Sequence, residues 1–294
     1  MLKAVTQVGW HIANNPSYLL GRFRSVRGLY SRVQRTIRPR NVPLEIGPLY
    51  ATSGIRIERT HSGLVQSDHS TDAHFQRLDR NAWSDGIRLT ADAVAALREF
   101  AQNNPITYRV GPNVHVAADR LGDLSPELRQ STTTAVLTTE HENDVIQRIA
   151  GDPAIVDVIE RYLGFRPKMI EPYFFWSFRS DLSFEERVAR QQTIEYHFDV
   201  HGYNFAYVSF YLLDTDRDNG AHVLVEGTHR RKRLSQLLGS ARISDAVAEE
   251  TYGRGKVKLI ERPAGEGFFE DTSCYHKALP PVARDRLMLQ LRYS

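Results

Sequence analysis

With 294 residues, 41% of them hydrophobic and 25% charged, the chain has the make-up of a globular protein that can bury one large core or two small ones. No stretch approaches the roughly 20 apolar residues of a membrane-spanning helix, no continuous apolar segment of the secretory kind opens the sequence, and a single cysteine, Cys274, excludes an internal disulfide, so a reducing, cytoplasmic compartment is expected. The net charge of +3 conceals an asymmetry: positions 1–44 carry Lys3 and seven arginines without one acid, so the remainder is net acidic and the overall charge says little about any internal site.

At the N-terminal end, Asn15-Pro16-Ser17 reads as a helix start, with Asn15 as cap and Pro16 in the first turn. Leu19, Phe23, Val26, Tyr30, Val33 and Ile37 then recur at helical spacing and define one apolar stripe, with Arg24, Arg27, Arg32, Arg35 and Arg38 on the opposite side. Three fates fit such an arm: packing on the chain's own body or a second subunit, lying on an anionic membrane through residues 15–38, or serving as a targeting segment. Nucleic-acid binding is not expected, because no recognition motif accompanies the arginines. Positions 39–83 show little periodicity and read as an irregular connection with one strand near Gly54–Glu58. His61, His69 and His74 lie there at spacings that suit no metal motif, and are expected to be solvated or locally bonded. Together these parts form a basic N-terminal extension, 1–84, ahead of a main domain, 85–294.

In the main domain Thr90 caps a helix through Val94, Leu97 and Phe100. A second helix is expected over Asn143–Ile149, and a third is bounded by the Asp152 cap, Pro153 and the terminator Gly164, burying Ile155, Val158, Ile159 and Tyr162. Beyond Gly164 the period becomes extended, with strands expected at Tyr173–Phe178, Phe205–Leu213, Val223–Val225, Val257–Ile260, Phe268-Phe269 and Leu287–Tyr293. Helices followed by many β segments predict a mainly β core with peripheral helices. No phosphate loop, dinucleotide fingerprint or internal repeat is present. Two charged insertions, 181–196 and 230–255, are expected near the mouth of the β core, where long connections act as lids.

The chemistry is concentrated near the C-terminal end. His197 and Asp199 are two apart, so on an extended chain both side chains leave one face and can share an ion. His276 joins them only if the fold brings distant strands together. Two imidazoles and a carboxylate with open positions opposite form the facial triad that suits Fe(II) in oxygen-activating enzymes. Zinc is the main competing ion. Arg286 opens the apolar run Leu287–Tyr293 and shares a strand face with Met288 and Gln290, so it is the preferred holder of a carboxylate; Arg284 is the fallback, and Arg292 lies at the chain's end.

These pieces, in order, resemble the phytanoyl-CoA dioxygenase-like branch of the Fe(II)/2-oxoglutarate oxygenases: DGIRLTADAVAALREFA at 85–101, HFD at 197–199, DNGAHVLVEGTH at 218–229, GEGFFED at 265–271 and HKALPPVARDRLMLQLRY at 276–293. The resemblance covers about the last two thirds of the chain. It implies a double-stranded β-helix of the jelly-roll or cupin-like kind, His197, Asp199 and His276 as metal ligands, Fe(II) with 2-oxoglutarate and O2 as cosubstrates, and hydroxylation of a substrate C–H with release of succinate and CO2. Because Asp199 is present, hydroxylation is expected in preference to halogenation.

Of the nearby residues, His201 is read as facing substrate or solvent, His229 as fixing the turn after Gly227, His222 as a bonded wall residue and Cys274 as core packing. The run Arg230-Arg231-Lys232-Arg233 is a solvated loop or, at the pocket mouth, an anion holder. The substrate expected is a small molecule, lipid or glycolipid, with the basic features hinting at an anionic one. A catalytically inactive jelly-roll binding protein and a metal-dependent cupin-type isomerase or lyase are the competing functions.

Overall fold

The computed structural model describes residues 16–39 and 41–294. Among them are sixteen strands: β1 Leu44–Ile46, β2 Ile55–Ile57, β3 Val65–Ser67, β4 Trp83–Leu89, β5 Ile106–Gly111, β6 Val114–Ala118, β7 Thr134–Leu137, β8 Met169–Ser177, β9 Tyr196–His197, β10 Ala206–Tyr211, β11 His222–Val225, β12 Arg242–Ile243, β13 Val257–Ile260, β14 Glu266–Glu270, β15 His276–Ala278 and β16 Arg286–Tyr293. They form two sheets. The larger has eleven strands along the path β3-β4-β14-β10-β16-β8-β7-β5-β6, with β1 and β2 attached through β8; the smaller runs β12-β9-β15-β11-β13. The central strands β10, β16 and β8 are antiparallel, and β16 pairs with β8 along its whole length, from Arg286 opposite Ser177 to Tyr293 opposite Ile170.

Period-two alternation decides what each face of the large sheet does. Leu287, Leu289 and Leu291 of β16, with Phe174 and Trp176 of β8 and Val208 and Phe210 of β10, join a core with Leu97, Ile146, Ile149, Ile155, Val158 and Ile159 of the outer helices. Met288, Phe175 and Tyr211 point the other way and meet Leu224 and Ile260 of the small sheet. The space left between the two sheets is the cavity that carries the site.

The expected helices form, two at the predicted caps Thr90 and Asp152 and one with the expected first residue Asn143 serving as its cap. Thr90 accepts from Ala93 N–H ahead of the Ala91–Asn103 helix, Asn143 from Ile146 N–H ahead of Asp144–Ala150, and Asp152 from Ala154 N–H ahead of Pro153–Leu163, which stops at Gly164 with φ +75°. Each such cap contributes roughly 1 kcal/mol. Several strands before residue 140 were not foreseen. β4 runs across the division drawn at 84/85, and the segment 41–83 holds, besides β2 at the strand expected near Gly54–Glu58, the strands β1 and β3 and a helix, Thr71–Asn81, capped by Ser70. The three-residue strands β1 and β3 show no readable period, and that helix buries only His74 and Leu78, so its sequence carries no apolar stripe.

The N-terminal arm departs from its expected stripe. Asn15 lies outside the described residues. The arm is broken into Ser17–Leu20 and Arg24–Ile37 by the extended Phe23, just after Gly21, where a Cβ would stand 2.3 Å from the carbonyl of Gly202. The break resets the helical phase. Tyr30 packs between Phe165 and Tyr203, at centroid distances of 5.7 and 5.2 Å, whereas Val33 and Ile37 are 45% and 65% exposed. Arg27, expected on the solvent side, is buried because Asp271, Asn204 and Ser273 supply acceptors for it.

Insertion 181–196 reaches the cavity through Gln191, Gln192 and Thr193. Insertion 230–255 does not: it adds β12 to the edge of the small sheet beside β9, and its helix residue Ala248 packs against Tyr275 on the far side of that sheet. The cationic run is therefore away from the mouth. Arg230 pairs with Asp79, and the Lys232 ammonium lies over the rings of Phe198 and Tyr275 while donating to the carbonyls of Thr228 and Ser273.

Candidate metal centre

β15 lies between β9 and β11, and its register sets His276 directly opposite His197, with ring centroids 4.3 Å apart. Asp199 follows β9 and is held by its own N–H, which donates to the carbonyl of Thr272 at 2.8 Å. The three side chains the sequence singles out are thus brought together from positions 79 residues apart, and their donor atoms all lie within 4.8 Å of one another. His197 Nδ1 bonds to the carbonyl of Glu195 at 2.9 Å and His276 Nδ1 to that of Cys274 at 3.1 Å. A carbonyl accepts only, so each Nδ1 carries the hydrogen and each Nε2 turns a lone pair inward. The two Nε2 atoms stand 3.8 and 3.7 Å from the Asp199 oxygens, too far for hydrogen bonds and near enough for one ion to reach all three.

Charge in this corner is tightly arranged. Burial, then the neighbouring His276, pushes the His197 imidazole down to about 4, so it stays neutral and available as a ligand. Burial alone would raise the Asp199 carboxyl, but His276, His201 and His197 outweigh it and hold the group well below the usual carboxylate range. Behind His276, His222 stacks at 5.4 Å and bonds through Nε2 to Glu270 at 3.0 Å. Cys274 is fully buried, with burial pushing its thiol well up. His201 lines the cavity, its Nε2 3.6 Å from Asp199, and His229 fixes its turn by bonding to the carbonyl of Asp79.

The cavity holds about 360 Å³, and the even positions of β16 line one wall of it from end to end. At one end Arg286 is 4% exposed; its Nη1 donates to the carbonyl of Gly220 and its Nη2 to Ser177 Oγ at 2.9 Å. Among the described residues no carboxylate pairs with it, and its Nε is buried without an acceptor. Burial pushes this guanidinium down, with only the Tyr211 and Tyr173 hydroxyls acting the other way. A buried cation without a counter-ion is costly, so this end is built to receive an anion. Arg284 is outside the cavity, its side chain 66% exposed and 3.8 Å from Asp216.

At the other end of β16 is an arrangement the sequence reading missed. Arg292 is also 4% exposed, but Glu171, its direct cross-strand partner, holds its Nε and Nη2 and so neutralises it. Tyr50, in a left-handed conformation with φ +66°, donates its N–H to Glu171 at 2.6 Å and lays its ring over Arg292. With Leu49, Tyr207 and His201 these residues wall the second end. The available signal was the lone acid in the otherwise apolar stretch Met169–Ser177, at the same alternation as Tyr173 and Phe175.

No protein-family model matches the chain. Among curated proteins, ATP synthase subunit delta of Gloeothece citriformis (strain PCC 7424) is 27% identical over 95 residues, which is 30% of this chain; the chain spans about half the length of that relative. Among solved structures, EctD from S. alaskensis, determined with 2-oxoglutarate and 5-hydroxyectoine, is similar over 81% of this chain and 82% of its own at TM-score 0.50 and 15% identity. The epimerase SnoN, determined with Fe3+, alpha ketoglutarate and nogalamycin RO, aligns over 76% of this chain and 82% of its own, at TM-score 0.49 and 16% identity. EvdO2 from Micromonospora carbonacea var. aurantiaca, complexed with 2-oxoglutarate, aligns over 78% and 92%, at TM-score 0.49 and 12% identity. What this chain shares with EctD is the fold, and its two facing antiparallel sheets with helices outside are a double-stranded β-helix of the jelly-roll kind.

Proposed function

We propose that the chain is a non-haem Fe(II)- and 2-oxoglutarate-dependent oxygenase that oxidises a C–H bond of a small organic substrate. The observation that carries this reading is the pairing, in one cavity, of an inward-facing two-imidazole, one-carboxylate donor set with a buried arginine lacking a counter-ion. His197, Asp199 and His276 would hold the ion, and their donor set fits Fe(II). The chemistry that ion supplies when bound is the coupling of 2-oxoglutarate oxidation, to succinate and carbon dioxide, with insertion of oxygen into a substrate C–H bond.

The chain's own residues position the reactants and keep water out. Arg286 is suited to the distal carboxylate of 2-oxoglutarate, since Gly220 and Ser177 hold its planar fork in place and the incoming anion supplies the missing charge. Phe175, Met288 and Tyr173 give the wall beside it little polarity. That leaves the Tyr207 and His201 end for the second substrate. There Arg292 is already neutralised by Glu171, so it does not ask for an anionic substrate. A cavity of about 360 Å³ takes the cosubstrate together with a small molecule or the reacting end of a larger one.

The test is succinate formation by purified protein given Fe(II), 2-oxoglutarate and oxygen, alone and with a panel of small metabolites. Slow succinate release without substrate, accelerated by a panel member that gains one oxygen atom, supports the reading. Folded, iron-loaded protein that leaves 2-oxoglutarate untouched contradicts it, and favours a binding protein or an isomerase.

A further inference from the structure

The Arg24–Ile37 helix docks on the body by one side only. Phe23, Tyr30 and the buried Arg27 turn inward, while Leu29, Val33 and Ile37, spaced four apart, form a row on the outside and are 60%, 45% and 65% exposed. Three large apolar side chains in one row are what a soluble surface normally avoids. Arg24, Arg32 and Arg35 occupy the rest of the exposed half, and none of the three has an ion-pair partner among the described residues. The helix contains no acid at all. Arg35 also lines an open groove of about 730 Å³ with Arg38, Arg59 and Arg161, whose acids Asp157 and Glu160 lie within reach of Arg59.

We propose that this outer face rests on an anionic lipid surface. An apolar row that enters the acyl boundary, beside arginines long enough to reach the headgroups, is the form of a helix that lies in a membrane interface. Among the described residues no helix is long and apolar enough to cross a membrane, so contact of this kind is peripheral. Charge selects lipid over a second copy of the chain. Two such helices packed face to face would set Arg32 and Arg35 against like charges with no acid on either helix to offset them, whereas acidic headgroups supply the complement. The inference does not depend on the reaction proposed for the cavity.

Flotation of the intact protein with phosphatidylcholine vesicles, and with vesicles that also contain phosphatidylglycerol, tests it. Binding is expected only to the second kind and is expected to be released by high salt. Each arginine near the surface contributes about a five-fold factor, so Arg32→Gln with Arg35→Gln should lower partitioning about twenty-five-fold. Leu29→Ser with Ile37→Ser should lower it roughly tenfold or more, and both double variants should keep the melting temperature because these side chains are exposed. Equal binding to both vesicles, no binding by folded protein, or variants that bind like the parent would overturn the proposal. So would a dimer that the serine variant dissociates, which would assign the row to a second copy.

Discussion

Arg27 and Asp271, 244 positions apart, form a buried ion pair at 3.0 Å that ties the N-terminal arm to the stretch leading into His276. Asp271 also accepts from Tyr162 at 2.5 Å and from the N–H of Ser273 at 2.9 Å. The next residue, Thr272, holds the backbone of Asp199. Removing the guanidinium would leave a carboxylate in the core without its counter-charge. Arg27→Met should therefore cost about 3–5 kcal/mol of stability, read as a lower denaturation midpoint. Arg27→Met combined with Asp271→Leu should recover part of that loss. A single variant as stable as the parent would show that the arm is not part of the fold.

The two cavity arginines should respond in opposite ways. Arg286→Gln removes a buried charge without a counter-ion, so the free protein should become no less stable while its requirement for 2-oxoglutarate rises steeply, by tenfold or more if a charge-assisted pair of roughly 1.5–3 kcal/mol is lost. Arg292→Gln strands Glu171 and should destabilise by about 3–5 kcal/mol. Arg284→Gln should do neither, since its side chain is largely in solvent. Thermal melts and 2-oxoglutarate saturation curves on the three variants separate these outcomes; a saturation change in Arg284→Gln instead of Arg286→Gln would contradict the assignment.

His74 provides a pH signature remote from the cavity. It is fully buried between Ser67 and Ser84, each 2.8 Å from a ring nitrogen, and burial pushes it down to about 4. An unfolded histidine titrates near 6.5. Between those values the unfolded chain binds a proton that the folded chain refuses, so stability is full above about 6.5 and falls as pH drops toward about 4. His74→Gln should flatten that slope by up to about 1.4 kcal/mol per pH unit. Denaturation midpoints measured across the window check it, and parallel slopes in parent and variant would contradict it.

The readable parts of the sequence were those where local chemistry determines local structure. The caps Thr90 and Asp152 begin helices because each satisfies a free N–H with its own side chain, whatever the tertiary context. His197, Asp199 and Arg286 could be chosen because strand alternation fixes which side chains share a face, although only the fold places His276 opposite His197. Arg27 was misread because an arginine in an amphipathic helix ordinarily faces water, and its acceptors lie more than 170 positions away. Glu171 and its pairing with Arg292 escaped notice for the same reason, since that pairing exists only in the register of β8 on β16. β2 forms where the strand near Gly54–Glu58 was expected, whereas β1 and β3 are defined by partners and are too short to show a period of their own.

The most direct test of the account is an anaerobic titration of the purified protein with Fe(II) and then 2-oxoglutarate, reading bound iron and the visible charge-transfer band that appears when the keto acid chelates the metal. The account predicts one iron per chain and a saturable band for the parent. Asp199→Ala and His276→Ala should bind little iron, and Arg286→Gln should bind iron normally but develop the band only at much higher 2-oxoglutarate. Iron binding that survives loss of both His276 and Asp199, or a parent that binds iron and never develops the band, would contradict it.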